Sequence, residues 1–483
     1  MSRPNPARLR RLVAGRLRRL YWLVTLLVTL LVTLLATGCG GAVASSARPG
    51  VPSSARPGVP SSARPDVPSS VSPGPACTGT ALTPARNVQA AVNTAPPGTT
   101  FCFGPGTYHV SSLVPKRGDV LDGGRQRAIL DGGNSAPYAV NGDSAPPGAA
   151  QVTVRGFVIQ NFNTPLQQGA IQDFNGPDWI IQNNHITHNA AAGVATGDNV
   201  QVLNNLIDHN GQEGFAAHGN GGLYQGNEIA YNNVNLAVDP TWEAGGGKAW
   251  GTSNLTFRNN NVHDNGGPGL WADTNNIYTT FDGNTISNNW GPGIDEEISY
   301  NATIINNTVA DNGMPSSPGG GQRLGWGWDA GIQLRGSGGL SSSSPLVIAN
   351  NTVTNNYNGI TLLQSPQPNA CPNKGNDEGA YGPCLVRNVI VEDNGITMSQ
   401  GWTGGAQDGT SDSIFMSRNN QWLGNSYCVA SANHPDDGYA YDWFAWNDWR
   451  SWFDWQAQGL DTGGTFTVGG TCRPPHSQHG SAR

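Results

Sequence analysis

A seven-residue pattern recurs along the middle of this 483-residue chain and constrains its fold more than any other feature. From Asn183 to Asn350 the successive copies start 21, 22, 33, 24, 23 and 44 residues apart. Self-similarity at a period of this size predicts a solenoid in which each repeat supplies one rung and the longer intervals hold extra loops. The copies are RGFVIQN, NNHITHN, NNLIDHN, GNEIAYN, NNNVHDN, GNTISNN, NNTVADN and NNTVTNN, which begin at Arg155, Asn183, Asn204, Gly226, Asn259, Gly283, Asn306 and Asn350.

Two positions of the pattern carry the same type of residue in every copy, and each type has a structural reason. The fourth position is always β-branched, which suits a short strand facing a core. It is occupied by Val158, Ile186, Ile207, Ile229, Val262, Ile286, Val309 and Val353. The seventh position is always Asn, a residue that tolerates left-handed turns and, when stacked, can hydrogen-bond along the stack. It is occupied by Asn161, Asn189, Asn210, Asn232, Asn265, Asn289, Asn312 and Asn356.

Most of the copies run into a second short apolar segment that begins with Gly. These segments are GVATG, GFAAH, GLWAD, GIDEE, GIQLR and GITLL, starting at Gly193, Gly214, Gly269, Gly293, Gly331 and Gly359. Strands this short cannot bury themselves alone, so they must coil into rungs that stack as parallel sheets around one narrow core.

With these repeats the chain resembles the right-handed parallel β-helix proteins of the pectin-lyase-like fold, from about Cys77 to Cys472. The resemblance implies an all-β solenoid, and NVQAAVNTA at Asn87 followed by PGTY is similar to the helical N-terminal cap of that family. A C-terminal stretch is rich in Trp and is expected to cap the last rung, although such a stripe also suits stacking on sugars. Its Trp residues are Trp443, Trp446, Trp449, Trp452 and Trp455.

The N-terminus has the shape of an export signal, because an Arg-rich stretch precedes an apolar run and then Cys39. Three fates stay open: lipidation of Cys39, cleavage after Ala44, or retention as a membrane anchor. All three place the body outside the cytoplasm, in the cell envelope or secreted. We expect a signal or anchor over 1–38, a Pro- and Ser-rich linker over 39–76, a β-helix over 77–420 and a C-terminal cap over 421–483.

Cysteine usage agrees with export. Apart from Cys39 the chain has six Cys, and an even number in an exported protein indicates disulfides. Sequence spacing favours three local pairs, although fifteen pairings are possible. The favoured pairs are Cys77–Cys102, Cys371–Cys384 and Cys428–Cys472.

The charge distribution excludes a nucleic-acid binder. The formal charge is −7, and seven Arg lie within the first nineteen residues, so the remainder carries −7 − 7 = −14. An acidic body repels phosphate backbones. We therefore expect a monomer whose partner is an extracellular polysaccharide, with an acidic polymer slightly favoured and membrane contact confined to the N-terminus.

Strand alternation places polar residues on the outer face of the second segment. One predicted outward column contains His218, Asp239, Asp273, Glu297 and Arg335. The neighbouring column contains Trp271, Asp295 and Gln333, whereas Glu296 should face inward and would then need a partner. Carboxylates stacked on successive rungs at about 4.8 Å resist ionising together, so they must gain a cation or hold a proton.

The longest insertion next to this acidic column supplies further candidates. The 33-residue interval before Asn259 contains Trp242, Glu243, Lys248 and Trp250, and Lys248 is one of only three Lys in the chain. Functional residues concentrate on loops held by a rigid scaffold. We therefore assign Lys248, Asp273, Glu297 and Glu243 as candidate catalytic residues. The candidate substrate-binding residues are Trp242, Trp250, Trp271, His218 and Arg335.

Two chemistries fit these residues. In a lyase, Lys248 would remove the proton α to a uronate carboxylate while calcium, held by Asp239, Asp273 and Glu297, neutralises that carboxylate. In a glycoside hydrolase, two of the carboxylates would act as acid and base. The signature motifs of pectin hydrolases are not present as a set. The alternative is a non-enzymatic β-helix that binds glycans or a neighbouring surface.

Overall fold

The computed structural model describes residues 77–144, 148–318, 329–364, 378–399, 403–408, 417–429, 441–442 and 449–469. The predicted export segment, the linker and Cys39 lie outside these ranges. In the described part of the chain, no helix is long and apolar enough to cross a membrane.

The described residues form a parallel β-helix with three long sheets of 13, 13 and 10 strands, which confirms the predicted fold. Sheet 1 contains Thr80–Leu82, Thr100–Phe103, Val120–Asp122, Thr153–Arg155, Ile180–Gln182, Gln201–Leu203, Leu223–Gln225, Thr256–Arg258, Thr280–Asp282, Thr303–Ile305, Leu346–Ala349, Val389–Glu392 and Gln421–Leu423. Sheet 2 contains Gly106–His109, Ala128–Asp131, Phe157–Gln160, His185–Thr187, Leu206–Asp208, Glu228–Ala230, Asn261–His263, Thr285–Ser287, Thr308–Ala310, Thr352–Thr354, Gly395–Met398, Ser426–Val429 and Thr465–Val468.

Sheet 3 closes each rung and forms the face on which the candidate site lies. Its strands are Val140–Asn141, Gly169–Asp173, Ala192–Thr196, Glu213–Ala217, Gly245–Ala249, Leu270–Asp273, Ile294–Glu297, Ala330–Arg335, Asn358–Gln364 and Gly404–Asp408. Two small antiparallel pairs lie outside the three sheets. They are Glu378–Gly379 with Gly382–Pro383, and Tyr441–Asp442 with Trp449–Arg450.

The stack is covered at its N-terminal end by helix α1, Val88–Thr94. Asn87 caps this helix by accepting a hydrogen bond from the backbone of Ala90 at 3.0 Å. Val88 and Val92 are buried against the core. The amphipathic segment therefore folds as predicted and covers the strand edges of the first rung.

The C-terminal end is covered by helix α2, Trp452–Ala457. The ring of Trp455 is fully buried and packs edge-on against Trp422 at 4.9 Å, and Trp452 stacks on Phe466. These two Trp residues therefore serve the cap. Trp443 and Trp446 lie outside the described residues. The last described strand of sheet 1 is Gln421–Leu423, and that of sheet 2 is Thr465–Val468.

The Asn column forms a buried hydrogen-bond ladder between sheets 2 and 3. The amide nitrogen of Asn210 donates to the side-chain oxygen of Asn232 at 3.0 Å, and Asn232 donates in the same way to Asn265 at 3.0 Å. Asn232 also donates to the carbonyl of Ile207, and its oxygen accepts from the backbone of Asn210. Each inner member therefore has its hydrogen-bonding groups satisfied. The ladder contains Asn189, Asn210, Asn232, Asn265, Asn289, Asn312 and Asn356.

The first copy of the pattern departs from the prediction by one residue. Ile159, not Val158, pairs with Ile186 and is buried. Phe162, not Asn161, takes the ladder position and donates its backbone N–H to Asn189. Asn161 instead lies outside the ladder with a φ of 60° and donates to Asp131. The expectations for Val158 and Asn161 are therefore wrong, because this copy carries Ile one position later.

A second Asn ladder, not predicted, runs between sheets 1 and 2. It uses the second residue of the pattern and continues beyond the repeats. Its members are Asn184, Asn205, Asn227, Asn260, Asn284, Asn307, Asn351, Asn394 and Asn425. Asn425 donates to the buried carboxyl of Asp461, which also accepts a hydrogen bond from Tyr427 at 2.6 Å. Burial raises the pKa of Asp461.

The predicted disulfide Cys77–Cys102 is present and joins the segment before the first strand of sheet 1 to the second strand, Thr100–Phe103. The other two predicted pairs each include a cysteine outside the described residues, Cys371 or Cys472.

A glycine lies at or next to the first residue of most strands of sheet 3, because the chain there passes very close to its neighbours. A Cβ added at Gly214 would lie 2.5 Å from Cγ2 of Ile229 and 2.5 Å from the carbonyl oxygen of Gly246. The Gly that follows the Asn ladder therefore lets each rung enter sheet 3 without displacing the next rung.

We predict that Asn232→Ala lowers the free energy of unfolding by roughly 2–4 kcal/mol, because it removes a hydrogen-bond partner from buried donors and acceptors on the two neighbouring rungs. The matched control is Asn163→Ala, which removes an exposed amide outside the ladders and should change stability by less than about 0.5 kcal/mol. Urea unfolding of the purified variants measures both. Equal midpoints for the two variants would contradict a stabilising role of the ladder.

Candidate functional site

The outer face of sheet 3 brings charged side chains of four successive rungs together. Lys248, Trp271, Asp295 and Gln333 are successive register partners in one outward column. Asp273, Glu297 and Arg335 follow two residues later on the same strands. The residues between the two columns point into the core. We call these outward residues, together with Glu243, the charged cluster.

Lys248 is the first centre of the charged cluster. Its ammonium group lies 2.7 Å from a carboxylate oxygen of Asp273 and 3.2 Å from one of Glu243. It also donates to the carbonyl of Trp242 at 3.0 Å and lies 4.0 Å from the ring centroid of Trp271. With 6% of its side chain exposed, this Lys is fixed at the base of the cluster.

Arg335 is the second centre. Its guanidinium binds both oxygens of Asp295 and lies 2.7 Å from a carboxylate oxygen of Glu297. The indole N–H of Trp271 donates to the same oxygen of Glu297 at 3.3 Å. Trp271 therefore connects the two centres, since one face of its ring holds Lys248 and its edge holds Glu297.

Burial is the main influence on the pKa values of the carboxyl groups Glu243, Asp295 and Glu297 in the cluster, and it raises all three. Burial, reinforced by the negative charges of Asp273 and Asp295, raises the pKa of Glu297 to about 8 against the opposing effect of Arg335. Burial works to lower the pKa of Lys248, but the charges of Asp273 and Glu243 outweigh it and raise that pKa. At neutral pH Glu297 therefore holds a proton and Lys248 stays a cation.

Two further carboxyl groups lie fully buried beside the cluster. Glu213 precedes the core-facing Phe215 by two residues, and its carboxyl has no side-chain partner among the described residues. Burial and the charge of Glu243 raise its pKa well above the usual value. Glu296 points into the core as predicted, and no described residue hydrogen-bonds to its carboxyl. Burial, reinforced by the charges of Asp295 and Asp273, raises its pKa strongly as well, so the surroundings of both groups favour the protonated form.

The aromatic candidates differ in accessibility. Trp271 is 3% exposed, because Lys248 covers it, so its indole serves the cluster and not a ligand. Trp242 is 51% exposed on the loop before the strand of Lys248. Trp250 is half-buried and stacks on the exposed His218 with 5.5 Å between the ring centroids.

Asp239 does not lie in the predicted column. The rung between those of Ala216 and Trp271 is supplied by Gly245–Ala249, with Lys248 in the outward position. Asp239 instead lies in the preceding loop, where it accepts hydrogen bonds from Thr241, which lower its pKa. The long insertion places the strand later than the 22-residue period suggests, so this part of the prediction is wrong.

The predicted calcium ligands therefore do not come together. Asp273 and Glu297 face cations of the protein, and Asp239 lies in the loop. In the described ranges, no group of three or more His, Cys, Asp or Glu side chains is arranged to hold a metal ion. Calcium binding stays a prediction whose proposed ligand set is incomplete.

The structure brings together six predicted site residues: Lys248, Glu243, Asp273, Glu297, Arg335 and Trp271. The site assignment missed Asp295, although alternation placed it in the second outward column, next to Trp271 and Gln333. It also missed Glu213, for which the sequence carries only a weak signal, an acidic residue directly before a rung of sheet 3. Glu213 matters because it lies near Lys248 in the folded protein, and such proximity leaves no periodic pattern in the sequence.

Comparison with known proteins agrees with this architecture. The sequence matches the profile of the right handed beta helix region in three overlapping segments, 135–239, 178–341 and 248–434. No curated protein matches the chain.

Solved structures similar to the chain share its fold at low identity. The A-module of mannuronan C-5 epimerase AlgE6 from Azotobacter vinelandii is 18% identical with a TM-score of 0.54, over 80% of this chain and 94% of that one. The AlgE4 A-module of the same organism is 14% identical with a TM-score of 0.43, over 80% and 93%. The alginate lyase AlyGC of the PL6 family is 14% identical with a TM-score of 0.38, over 82% and 57%.

We predict that Lys248→Met lowers the free energy of unfolding by about 3–5 kcal/mol, because two poorly exposed carboxylates lose their shared cation. The control Arg258→Met breaks the exposed pair with Asp282 on sheet 1 and should cost about 1 kcal/mol or less. Chemical denaturation of both variants tests this difference. A Lys248 variant as stable as the Arg258 variant would show that the cluster does not depend on its cation.

Proposed function

Since this chain belongs to the right-handed β-helix family, whose stacked rungs offer a long regular surface to a polymer, we propose that it is a glycoside hydrolase acting on an extracellular polysaccharide. The observation that carries the proposal is the pairing of Asp273 with Glu297 on neighbouring rungs of sheet 3. The polysaccharide-acting names of its structural neighbours, a mannuronan epimerase among them, support the substrate class.

The proposed mechanism uses these two carboxyl groups in different protonation states. The ammonium group of Lys248 forms an ion pair with Asp273 at 2.7 Å, while Glu297 keeps a proton because of its pKa of about 8. Carboxyl groups with opposite roles set by their surroundings are the arrangement that glycoside hydrolysis requires. Side chains on adjacent strands are about 5 Å apart, which corresponds to a retaining mechanism.

In the first step Asp273 attacks the anomeric carbon and the bond to the leaving sugar oxygen breaks, while Glu297 gives its proton to that oxygen. In the second step Glu297, now ionised, takes a proton from water, and the water oxygen displaces Asp273 from the anomeric carbon. Lys248 and Arg335 position the pair, because each fixes one of the two carboxyl groups.

The lyase alternative has less support from the charged cluster. A base must be free of its proton, whereas the carboxylates beside Lys248 raise its pKa. The non-enzymatic alternative also loses ground, because Glu243, Lys248, Asp273 and Glu297 converge in one cluster instead of pointing apart. Export, through the Arg-rich and apolar N-terminus, is part of the same proposal.

We predict that Glu297→Gln and Asp273→Asn each lower kcat by about 10²–10⁴-fold, the range associated with loss of acid–base catalysis. Residues 77–483 are incubated with a panel of polysaccharides, and the soluble products are weighed by mass spectrometry. Products at the hydrolysed mass are expected. The control Asp282→Asn changes an acid on sheet 1 and should retain full activity.

Two outcomes of that experiment would overturn the proposal. Products lighter by one water would show elimination and favour the lyase. No product from any glycan, together with retained glycan binding, would favour the non-enzymatic protein.

The pH dependence gives a separate prediction. Because Glu297 must carry a proton to act as the acid, kcat/KM should fall as the pH rises through about 8. The decrease should follow the titration of one group. Rates measured between pH 5 and 10 on the most active substrate test this, and a rate that increases through pH 8 would contradict the role of Glu297.

A further inference from the structure

An aromatic surface lies on sheet 3 directly beside the proposed catalytic pair. Ala249 and Ala272 are register partners, so Trp250 and Asp273, which follow them, occupy the same outward column one rung apart. On the other side of Trp250 in this column lies His218, because Ala217 pairs with Ala249. Along the stack the order is therefore His218, Trp250, Asp273 and Glu297.

The position of the Trp250 indole is fixed by contacts with two neighbouring rings. His218 stacks on it with an interplanar angle of 26°, and Nδ1 of His218 lies 2.9 Å from the carbonyl oxygen of Trp250. The ring of Phe174 meets it edge-on with 5.5 Å between centroids. Both Phe174 and Trp250 pack on the buried side chains of Ala195 and Ala216.

These contacts leave the indole half-buried, and on the side of the column away from His218 the next outward residue is Asp273. A fixed aromatic ring is a surface on which the apolar face of a pyranose can stack at low entropic cost. Its neighbour on that side is the carboxylate that, in the proposed function, attacks the anomeric carbon. The ring is therefore placed to hold the sugar unit next to the one that reacts.

The charges of the cluster indicate which sugars this surface accepts. Lys248 already has two partners, Glu243 and Asp273, and Arg335 is paired with Asp295 and contacts the carboxyl group of Glu297. A uronate carboxylate entering beside Asp273 would meet an excess of negative charge, with both cations of the cluster engaged. Apart from its Arg-rich first nineteen residues the chain carries −14, which adds repulsion at longer range.

We propose that Trp250, backed by His218, forms a stacking subsite for a neutral polysaccharide that lies along the solenoid axis. This inference rests on the proposed function, because it uses the Asp273–Glu297 pair to locate the reacting bond. It differs from the sequence prediction, which slightly favoured an acidic polymer. That prediction was made without knowing that both cations of the cluster are already paired.

The test is a binding measurement that does not depend on turnover. Isothermal titration calorimetry is performed on Glu297→Gln with neutral hexasaccharides of the xylan, glucan and mannan types, and with oligomannuronate and oligogalacturonate of equal length. At least one neutral hexasaccharide should bind, and neither uronate should bind as tightly. Adding Trp250→Ala should weaken that binding about tenfold, and Trp250→Phe should restore most of it.

The matched control is Phe453→Ala in the same background, which removes an exposed aromatic ring from helix α2 and should leave the affinity unchanged. Tighter binding of a uronate, or no binding of any neutral hexasaccharide, would overturn the assignment of substrate class. Neutral binding that Trp250→Ala does not weaken would overturn the subsite. If binding follows the expectation but the unmodified protein releases no product, the hydrolase proposal fails while the subsite stands.

Discussion

The buried side-chain hydrogen bonds between stacked Asn residues are the interaction on which the rest of this structure depends. Strands of three to five residues have too few backbone hydrogen bonds and too little apolar area to hold their own register. Each Asn fixes a turn to the turns above and below it, as Asn232 does with Asn210 and Asn265. Two such ladders hold the corners of the rungs, so the three sheets stay in alignment even where the loops between them vary in length.

This alignment is also what makes the charged cluster possible. Lys248, Asp273, Glu297 and Arg335 come from four strands separated by loops of very different length, yet register pairing brings them side by side. Holding buried and half-buried charges this close together costs free energy. On a flexible surface the side chains would move apart and lower that cost. A rigid stack cannot do so, and the consequence is that the pKa of Glu297 is raised beside the ion pair of Lys248 and Asp273.

The sequence predicts the fold well because its signals are local and repeated. A β-branched residue three positions before an Asn, repeated at a period near 22 residues with some longer intervals, is enough to place the core of sheet 2 and one ladder. The errors occur where the period breaks. The first copy carries its Ile one position late, so Val158 and Asn161 were misplaced, and the long insertion moved the next rung from Asp239 to Lys248. No pattern in the chain states where an insertion ends and a strand resumes.

The candidate site was predictable only in part, for a related reason. Alternation along each strand selects which side chains face outward, and this was sufficient for Asp273, Glu297 and Arg335. It does not say which cation meets which carboxylate, so the four pairs made by Lys248 and Arg335 were not predicted. Those pairs decide the protonation states and the charge that a ligand meets.

The ladder between sheets 1 and 2 has a direction, because every Asn receives hydrogen bonds from the rung before it and passes an N–H to the next. Asp461 stands at the last position and accepts from Asn425 and Tyr427. Its side chain has no amide group with which to continue the series. A further Asn could not be joined to the ladder through this side chain in the way the earlier ones are joined. Asp461 therefore closes the series of side-chain hydrogen bonds at the last position.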